Sequence, residues 1–236
     1  QQLKGENFVN DGKQLVYHEQ ENGKRIQWHT LSVPRGGEYK LVLADGTRVW
    51  LNAASELMYP DHFSADQRKV VLKGEAYFEV TKDVKRPFSV VLGDMEVKVL
   101  GTSFNVSAYP GVKRQTTLIE GQVAVNWHRQ QVVIRPGQQA AETDEGLRVA
   151  SVNVMNYVGW KEHRFVYENK LLGEVLEDLE RWYDVEVFVM HDEIRNLHLT
   201  ANLPRYENMD KVLEIIEYAA CVKFEVKGRT VVVRRD

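Results

Sequence analysis

Two acids in the segment Gly74-Glu75-Ala76-Tyr77-Phe78-Glu79-Val80 have the types and spacing that suggest acid–base chemistry. The segment alternates as a strand does, so Glu75 and Glu79 fall on one face. Four residues at about 3.3 Å each place their Cα atoms roughly 13 Å apart. Paired glycosidase carboxylates lie only about 5 to 9.5 Å apart. Glu75 and Glu79 are therefore read as solvated or ion-paired strand acids. Seven histidines at 18, 29, 62, 128, 163, 191 and 198 include no His-x-His or His-x₃-His pair. Asp61-His62 and His191-Asp192-Glu193 gather ligand types, but neighbours on a strand point to opposite faces and a turn cluster is mostly solvated. Structural histidines are the expectation, with no metal and no cofactor. Cys221 has no assignable His–Asn or His–Asp arrangement, so it is read as a buried or half-buried spacer rather than a nucleophile. Asn105-Val106-Ser107 is a glycosylation sequon in form only, because it lies in an expected strand. Nucleotide-binding glycine loops, HExxH, GxSxG and calcium loops are absent from the sequence. The expectation is a non-enzyme.

Composition narrows the classes further. With 236 residues, 43% hydrophobic and 28% charged, the chain has the make-up of a globular protein large enough for two modest domains. A net charge of -3, with 31 basic and 34 acidic residues interspersed, leaves no electrostatic footprint for nucleic acid. One cysteine excludes an internal disulfide, and no apolar run reaches the roughly 20 residues of a membrane span. The start at Gln1, without a signal sequence, suggests an excised or processed piece.

The elements that position these residues are short strands over the first two-thirds. Leu15 to Gln20 and Arg25 to Leu31 flank Asn22-Gly23, which predicts a first hairpin. Tyr39 to Leu43 and Thr47 to Leu51 flank Asp45-Gly46, which predicts a second. Apolar alternation then predicts strands at 69–72, 75–80, 88–91, 96–100, 103–108, 116–119, 122–126, 131–134 and 138–141, with glycines 74, 101, 121 and 137 at the joints. Such a series argues for an all-β sandwich, barrel or solenoid.

From Tyr157 the pattern becomes strand, helix, strand, twice over. The strand Arg164 to Tyr167 leads to apolar residues at helical spacing from Leu171 to Tyr183, with Asn169 as the expected N-cap. Val185 to Met190, apolar almost throughout, predicts a strand buried on both faces. The second copy runs through strand Leu197 to Leu203, N-cap Asn208, helix Met209 to Ala220 and strand Val222 to Val226, then turns at Lys227-Gly228 into Thr230 to Arg234. Aligning Val175 onto Val212, an offset of 37 residues, gives six identical pairs in fifteen. Two of them, Glu177/Glu214 and Glu180/Glu217, lie where packing asks for nothing specific, which favours duplication. The fold class is thus α+β and β-rich: an all-β solenoid- or sandwich-like domain, then a small duplicated βαβ domain with both helices on one face of a sheet.

The stretches VPRGGEYKLVLADGTRVWLNAASELMYP (33–60), VVLKGEAYFEVTKDVKRPFSV, VKVLGTSFNVSAYP, LIEGQVAV and IRPGQQA resemble the periplasmic region of FecR anti-sigma factors. WKEHRFVYENKLLGEVLEDLERWYDVEV and LPRYENMDKVLEIIEYAACVKFEVKGRTVVV resemble the domain that follows it in that family, which is similar to the secretin/TonB short N-terminal fold. The resemblance implies the boundaries 1–30 for extra strands joining the β domain, 31–153 for the FecR-like domain and 154–236 for the duplicated domain. It also implies a single-pass inner-membrane protein with its sigma-binding segment before Gln1. Its periplasmic part would receive a signal from the N-terminal signalling domain of a TonB-dependent outer-membrane transducer and relay it to an extracytoplasmic-function sigma factor. On the residues alone, Thr230, Val231, Val232, Val233 and Arg234 suit an edge strand for partner pairing. Trp182 and Tyr183 suit either an interface or the core. The aromatic-rich β domain leaves periplasmic or surface polysaccharide binding as the alternative.

Overall fold

The computed structural model describes residues 3–4, 8–10, 14–17, 25–205 and 208–235. The described residues up to Val154, Arg35–Gly37 excepted, form one unit; Arg35–Gly37 and the residues from Met155 onward form the other.

The first unit is all β. In chain order its strands are β1 (Leu3–Lys4), β2 (Phe8–Asn10), β3 (Gln14–Tyr17), β4 (Trp28–Val33), β5 (Tyr39–Val42) and β6 (Arg48–Leu51). Then come β7 (Ser55–Pro60), β8 (Arg68–Glu79), β9 (Phe88–Leu92), β10 (Met95–Val99) and β11 (Ser103–Ala108). The last are β12 (Gln115–Glu120), β13 (Val123–Trp127), β14 (Gln130–Ile134), β15 (Gln138–Thr143) and β16 (Gly146–Ser151). They make two layers that share one strand. One layer runs β1-β2-β3-β5-β6-β8-β11-β12-β15-β16, and the other runs β4-β7-β8-β9-β10-β13-β14.

The shared strand is β8, and the sequence read it as two. Its first half pairs with β7 and β9, its second half with β6 and β11. Gly74 lies where it changes layers, at φ +91°; a Cβ there would come within 2.4 Å of Ser55 Oγ and 2.7 Å of Ser55 Cα. Only glycine fits that bend. Alternate residues of both layers point inward and meet in one core, including Leu41, Val49, Phe78, Phe104 and Leu118 from the first layer and Leu57, Val70, Phe88, Val97 and Val125 from the second. Phe78 joins them, stacking on Phe104 with ring centroids 5.2 Å apart and contacting Phe88 at 6.1 Å.

Beneath that core lies a buried charge. Arg68 and Asp45 side chains are 1% and 5% exposed and 2.8 Å apart. Arg68 also donates to the carbonyls of Arg86 (2.9 Å) and Thr81 (2.8 Å). Asp45 in turn accepts from the Thr47 N–H (3.0 Å) and hydroxyl (2.8 Å), which closes the β5–β6 turn around Gly46 at φ +82°. That hairpin is the second one expected, and it forms. The first does not. β3 pairs with β2 and, in parallel, with β5, while β4 pairs with β7. Asn22-Gly23 lies outside the described residues. Strands β7 and β16 lie outside the strands that apolar alternation predicts.

The second unit contains α1 (Met155–Val158), β17 (Arg164–Leu171), α2 (Leu172–Tyr183), β18 (Glu186–Val189), β19 (His198–Pro204), α3 (Met209–Ala220), β20 (Val222–Lys227) and β21 (Thr230–Arg235). Its core takes Val175, Leu176 and Leu179 from α2 and Val212, Leu213 and Ile216 from α3, equivalent positions at the 37-residue offset. Burying each such side chain contributes about 1.5–3 kcal/mol. The single sheet expected here is in fact two: β17 pairs with β19, and β18, β21 and β20 make a separate three-stranded sheet. Each helix therefore connects strands of different sheets.

Local signals at the helix ends divided. Asn208 caps α3, its Oδ1 accepting from the Asp210 N–H at 2.8 Å. Asn169 caps nothing: it sits in β17 at φ +51°, beside a register shift between Tyr167 and Lys170, and its N–H goes to the Thr200 hydroxyl. Leu171 precedes α2 without a side-chain cap. Both helices end on a left-handed residue, Asp184 at φ +54° and Cys221 at φ +52°. Cys221 is exposed, neither buried nor half-buried as expected, because the reversal at the helix end turns it outward.

Candidate protein-docking surface

Strand alternation divides the residues of the three-stranded sheet between two faces. Val187 and Val189 of β18 and Val231 and Val233 of β21 face the helices, the last two 1% and 0% exposed. Phe188 stands beside Val232 in the parallel ladder, and both point away from the helices. Thr230 and Arg234 share that outer face with them. The ladder continues past β18, since the Met190 N–H donates to the Val233 carbonyl at 2.9 Å. Met190 and Phe188 are 60% and 56% exposed. The outer face thus carries an apolar strip of Phe188, Val232 and Met190, bordered by Lys223, Glu225, Lys227 and Arg234.

This geometry corrects two expectations. Val185 to Met190 is not buried on both faces; β18 is an edge strand whose apolar outer residues meet solvent. Thr230 to Arg234 is not an edge either. β21 lies between β18 and β20, so its backbone groups are already paired on both sides. The sequence shows the β20–β21 hairpin, but the parallel partner β18 is more than forty residues away in the chain and leaves no local sign.

Trp182 and Tyr183 are half-buried and pack against the core of this unit. The Trp182 ring is covered by the Arg205 guanidinium, 3.2 Å from its centroid, and Arg205 is held by the His163 carbonyl and Nδ1. Burial pushes the Tyr183 hydroxyl up to about 12. Below α2, Asp178 joins Lys170 and Arg181, each 2.7 Å away. Burial acts to raise its pKa, yet the two cations outweigh it and hold the carboxyl below its ordinary value. Tyr167, under the same helix, is pushed well above the usual phenol range, first by burial and then by the Asp178 charge.

In the first unit, Glu75 and Glu79 lie on one face of β8, as the spacing indicates. Glu75 accepts from the side-chain amides of Asn105 (2.9 Å) and Asn52 (2.8 Å), and Glu79 pairs with Arg48. A cavity of about 580 Å³ beside Glu79 is lined by Arg48, Tyr77, Glu79, Ser103 and Glu120, among others. Asn105 of the sequon is 2% exposed. Among the described residues, no three His, Cys, Asp or Glu side chains converge on a point where a metal ion would bind, and no helix is long and apolar enough to cross a membrane.

Two family models match the chain: "FecR protein" over residues 29–124 and "FecR, C-terminal" over residues 164–233. The chain belongs to the FecR family. Two crystal structures of a candidate anti-sigma factor from Parabacteroides distasonis ATCC 8503 share its fold. The one at 1.65 Å has a TM-score of 0.82 and 26% identity over 88% of this chain and 99% of that chain. The one at 2.50 Å has a TM-score of 0.83 and 26% identity over 89% of this chain and 100% of that chain. No curated protein matches at a significant level. FecR proteins are regulatory, and the second family model spans the three-stranded sheet with its exposed strip.

Proposed function

We propose that this chain is the signal-receiving periplasmic region of a transmembrane anti-sigma factor. In this reading it relays a signal from the N-terminal signalling domain of a TonB-dependent outer-membrane transducer to an extracytoplasmic-function sigma factor. The sigma factor is bound by a cytoplasmic segment outside this sequence. The observation that carries the reading is the apolar strip on the outer face of the second unit. Phe188 and Met190 are large, more than half exposed and neighbours on one ladder, and exposed apolar patches rimmed by charge mark interaction sites. Thr230, Val232 and Arg234 contribute to that face directly. Val231 and Val233 back it from within, while Trp182 and Tyr183 pack against the core of the unit. The anti-sigma relatives and the two FecR models agree with the regulatory role.

Calorimetric titration of the purified N-terminal signalling domains of the TonB-dependent transducers of the same organism tests the proposal. Saturable heat that is lost in Phe188→Lys supports it; no heat and no co-elution at tens of micromolar count against it. A glycan array separates the polysaccharide-binding reading, and glycan binding that survives deletion of 155–236 favours that alternative.

A further inference from the structure

The two acids repeated at the 37-residue offset, Glu180 and Glu217, occupy the same place in both copies. Glu180 Oε1 accepts the backbone N–H of Val187 at 2.7 Å, and Glu217 Oε1 accepts that of Phe224 at 2.6 Å. Both contacts are short, as charge-assisted hydrogen bonds are. Val187 is on β18 and Phe224 on β20, the two edges of the three-stranded sheet. On β18, the N–H groups of Glu186 and Met190 donate to carbonyls of Arg229 and Val233 on the β21 side. Alternation therefore turns the Val187 N–H outward, to where the carbonyl of an added strand would lie. The left-handed caps Asp184 and Cys221, whose N–H groups return to the carbonyls of Glu180 and Glu217, fold the chain back so that each acid reaches the strand that follows its helix.

We propose that Glu180 and Glu217 are edge locks, carboxylates that stand in for the carbonyl of an incoming strand and keep the sheet from growing. The same atom makes the same contact at equivalent positions, so it is a built feature and not an accident of one surface side chain. It is needed most on β18, a short edge that carries exposed Phe188 and Met190, the kind of edge that templates pairing unless it is blocked. The strand that adds when the lock is removed is β18 of a second copy, edge to edge about a two-fold axis. This device acts on the edge of the sheet and stands or falls independently of docking on its outer face.

The test is the oligomeric state of the whole chain by sedimentation velocity. Wild type and Glu180→Gln, whose amide oxygen still accepts, are expected to sediment as monomers at tens of micromolar. Glu180→Ala is expected to form a concentration-dependent dimer that Phe188→Lys in the same chain reverses. At low concentration the Val187 amide of Glu180→Ala should exchange about tenfold faster than in wild type. A Glu180→Ala protein that is merely less stable and stays monomeric overturns the proposal, as does a wild type already dimeric through β18. If Glu180→Ala does not fold, Glu217→Ala frees the β20 edge instead, and it should speed exchange of the Phe224 amide about tenfold and give a concentration-dependent dimer through β20; a monomer with unchanged exchange overturns the proposal. If neither folds, the acids are packing struts and the proposal falls.

Discussion

Removing the charge of Arg68 should unfold the first unit far more readily than its single ion pair suggests. The guanidinium is 1% exposed, its partner Asp45 is 5% exposed, and its Nη2 is buried without a hydrogen-bond partner among the described residues. A buried pair that is not fully satisfied adds little net stability, because desolvation cancels most of the Coulombic gain. Deleting one partner is another matter, since the charge left behind stays buried. Arg68→Met removes the guanidinium that lies over the Phe88 ring and leaves the buried Asp45 carboxylate with only Thr47 as donor. The expected cost is about 3–5 kcal/mol, equivalent to roughly 6–20 °C in Tm for a unit of this size. Asp45→Asn keeps the acceptor that closes the Thr47 turn but leaves Arg68 uncompensated, and should cost a similar amount. The double variant buries no net charge and should cost about 1–2 kcal/mol, well short of the sum of the two. Urea unfolding, followed by hydrogen exchange of peptides from β6, β8 and β9 so that the first unit is observed alone, measures all three. An Arg68→Met loss under about 0.5 kcal/mol, within the range of an ordinary surface change, or strict additivity of the pair, would refute the reasoning.

Further outcomes follow from other parts of the fold. Gly74→Ala should cost at least about 3 kcal/mol, whereas Gly137→Ala, also at positive φ but with nothing within 4 Å of its added Cβ, should cost about 1–2; paired urea melts isolate the clash with Ser55. Asp94 and Glu142 are held below the usual carboxylate range, chiefly by hydrogen bonds from Arg114. Depressed carboxylates contribute stability that is present above their unfolded pKa and lost as pH falls through the folded one. The difference in urea midpoint between wild type and Arg114→Gln should therefore be largest near neutrality and shrink below about pH 4. Asn208→Ala should cost about 1 kcal/mol, seen as faster amide exchange at the start of α3 with β11 and β12 unchanged.

What the sequence disclosed was mostly what neighbours in the chain decide. The β5–β6 hairpin rests on Asp45 and Gly46, which bond groups only two and three residues away, and α3 rests on its own apolar stripe and Asn208. Pairings between distant segments were hidden. The parallel contacts of β3 with β5 and of β18 with β21 join strands that no turn connects, so β3 was given the wrong partner and β21 the wrong place in its sheet. β8 was divided at Gly74 because a glycine between alternating runs signals a turn as readily as a bend between layers. Apolar composition made β18 read as a doubly buried strand, though its outer residues are exposed. The repeated Glu180 and Glu217 were visible as identities, and their reason was not. Each meets a backbone N–H seven residues on, a contact that depends on the left-handed helix end and has no signature in side-chain type. Their shared role also weakens them as evidence of duplication, since the fold itself asks for an acid there.

The most direct test of the account is a chemical-shift map of the labelled chain titrated with the transducer's signalling domain. Perturbations should concentrate on Phe188, Met190, Thr230, Val232 and Arg234, with the first unit unaffected and the response abolished by Phe188→Lys. Saturable binding whose perturbations fall on the first unit and spare the outer face of the three-stranded sheet would contradict it.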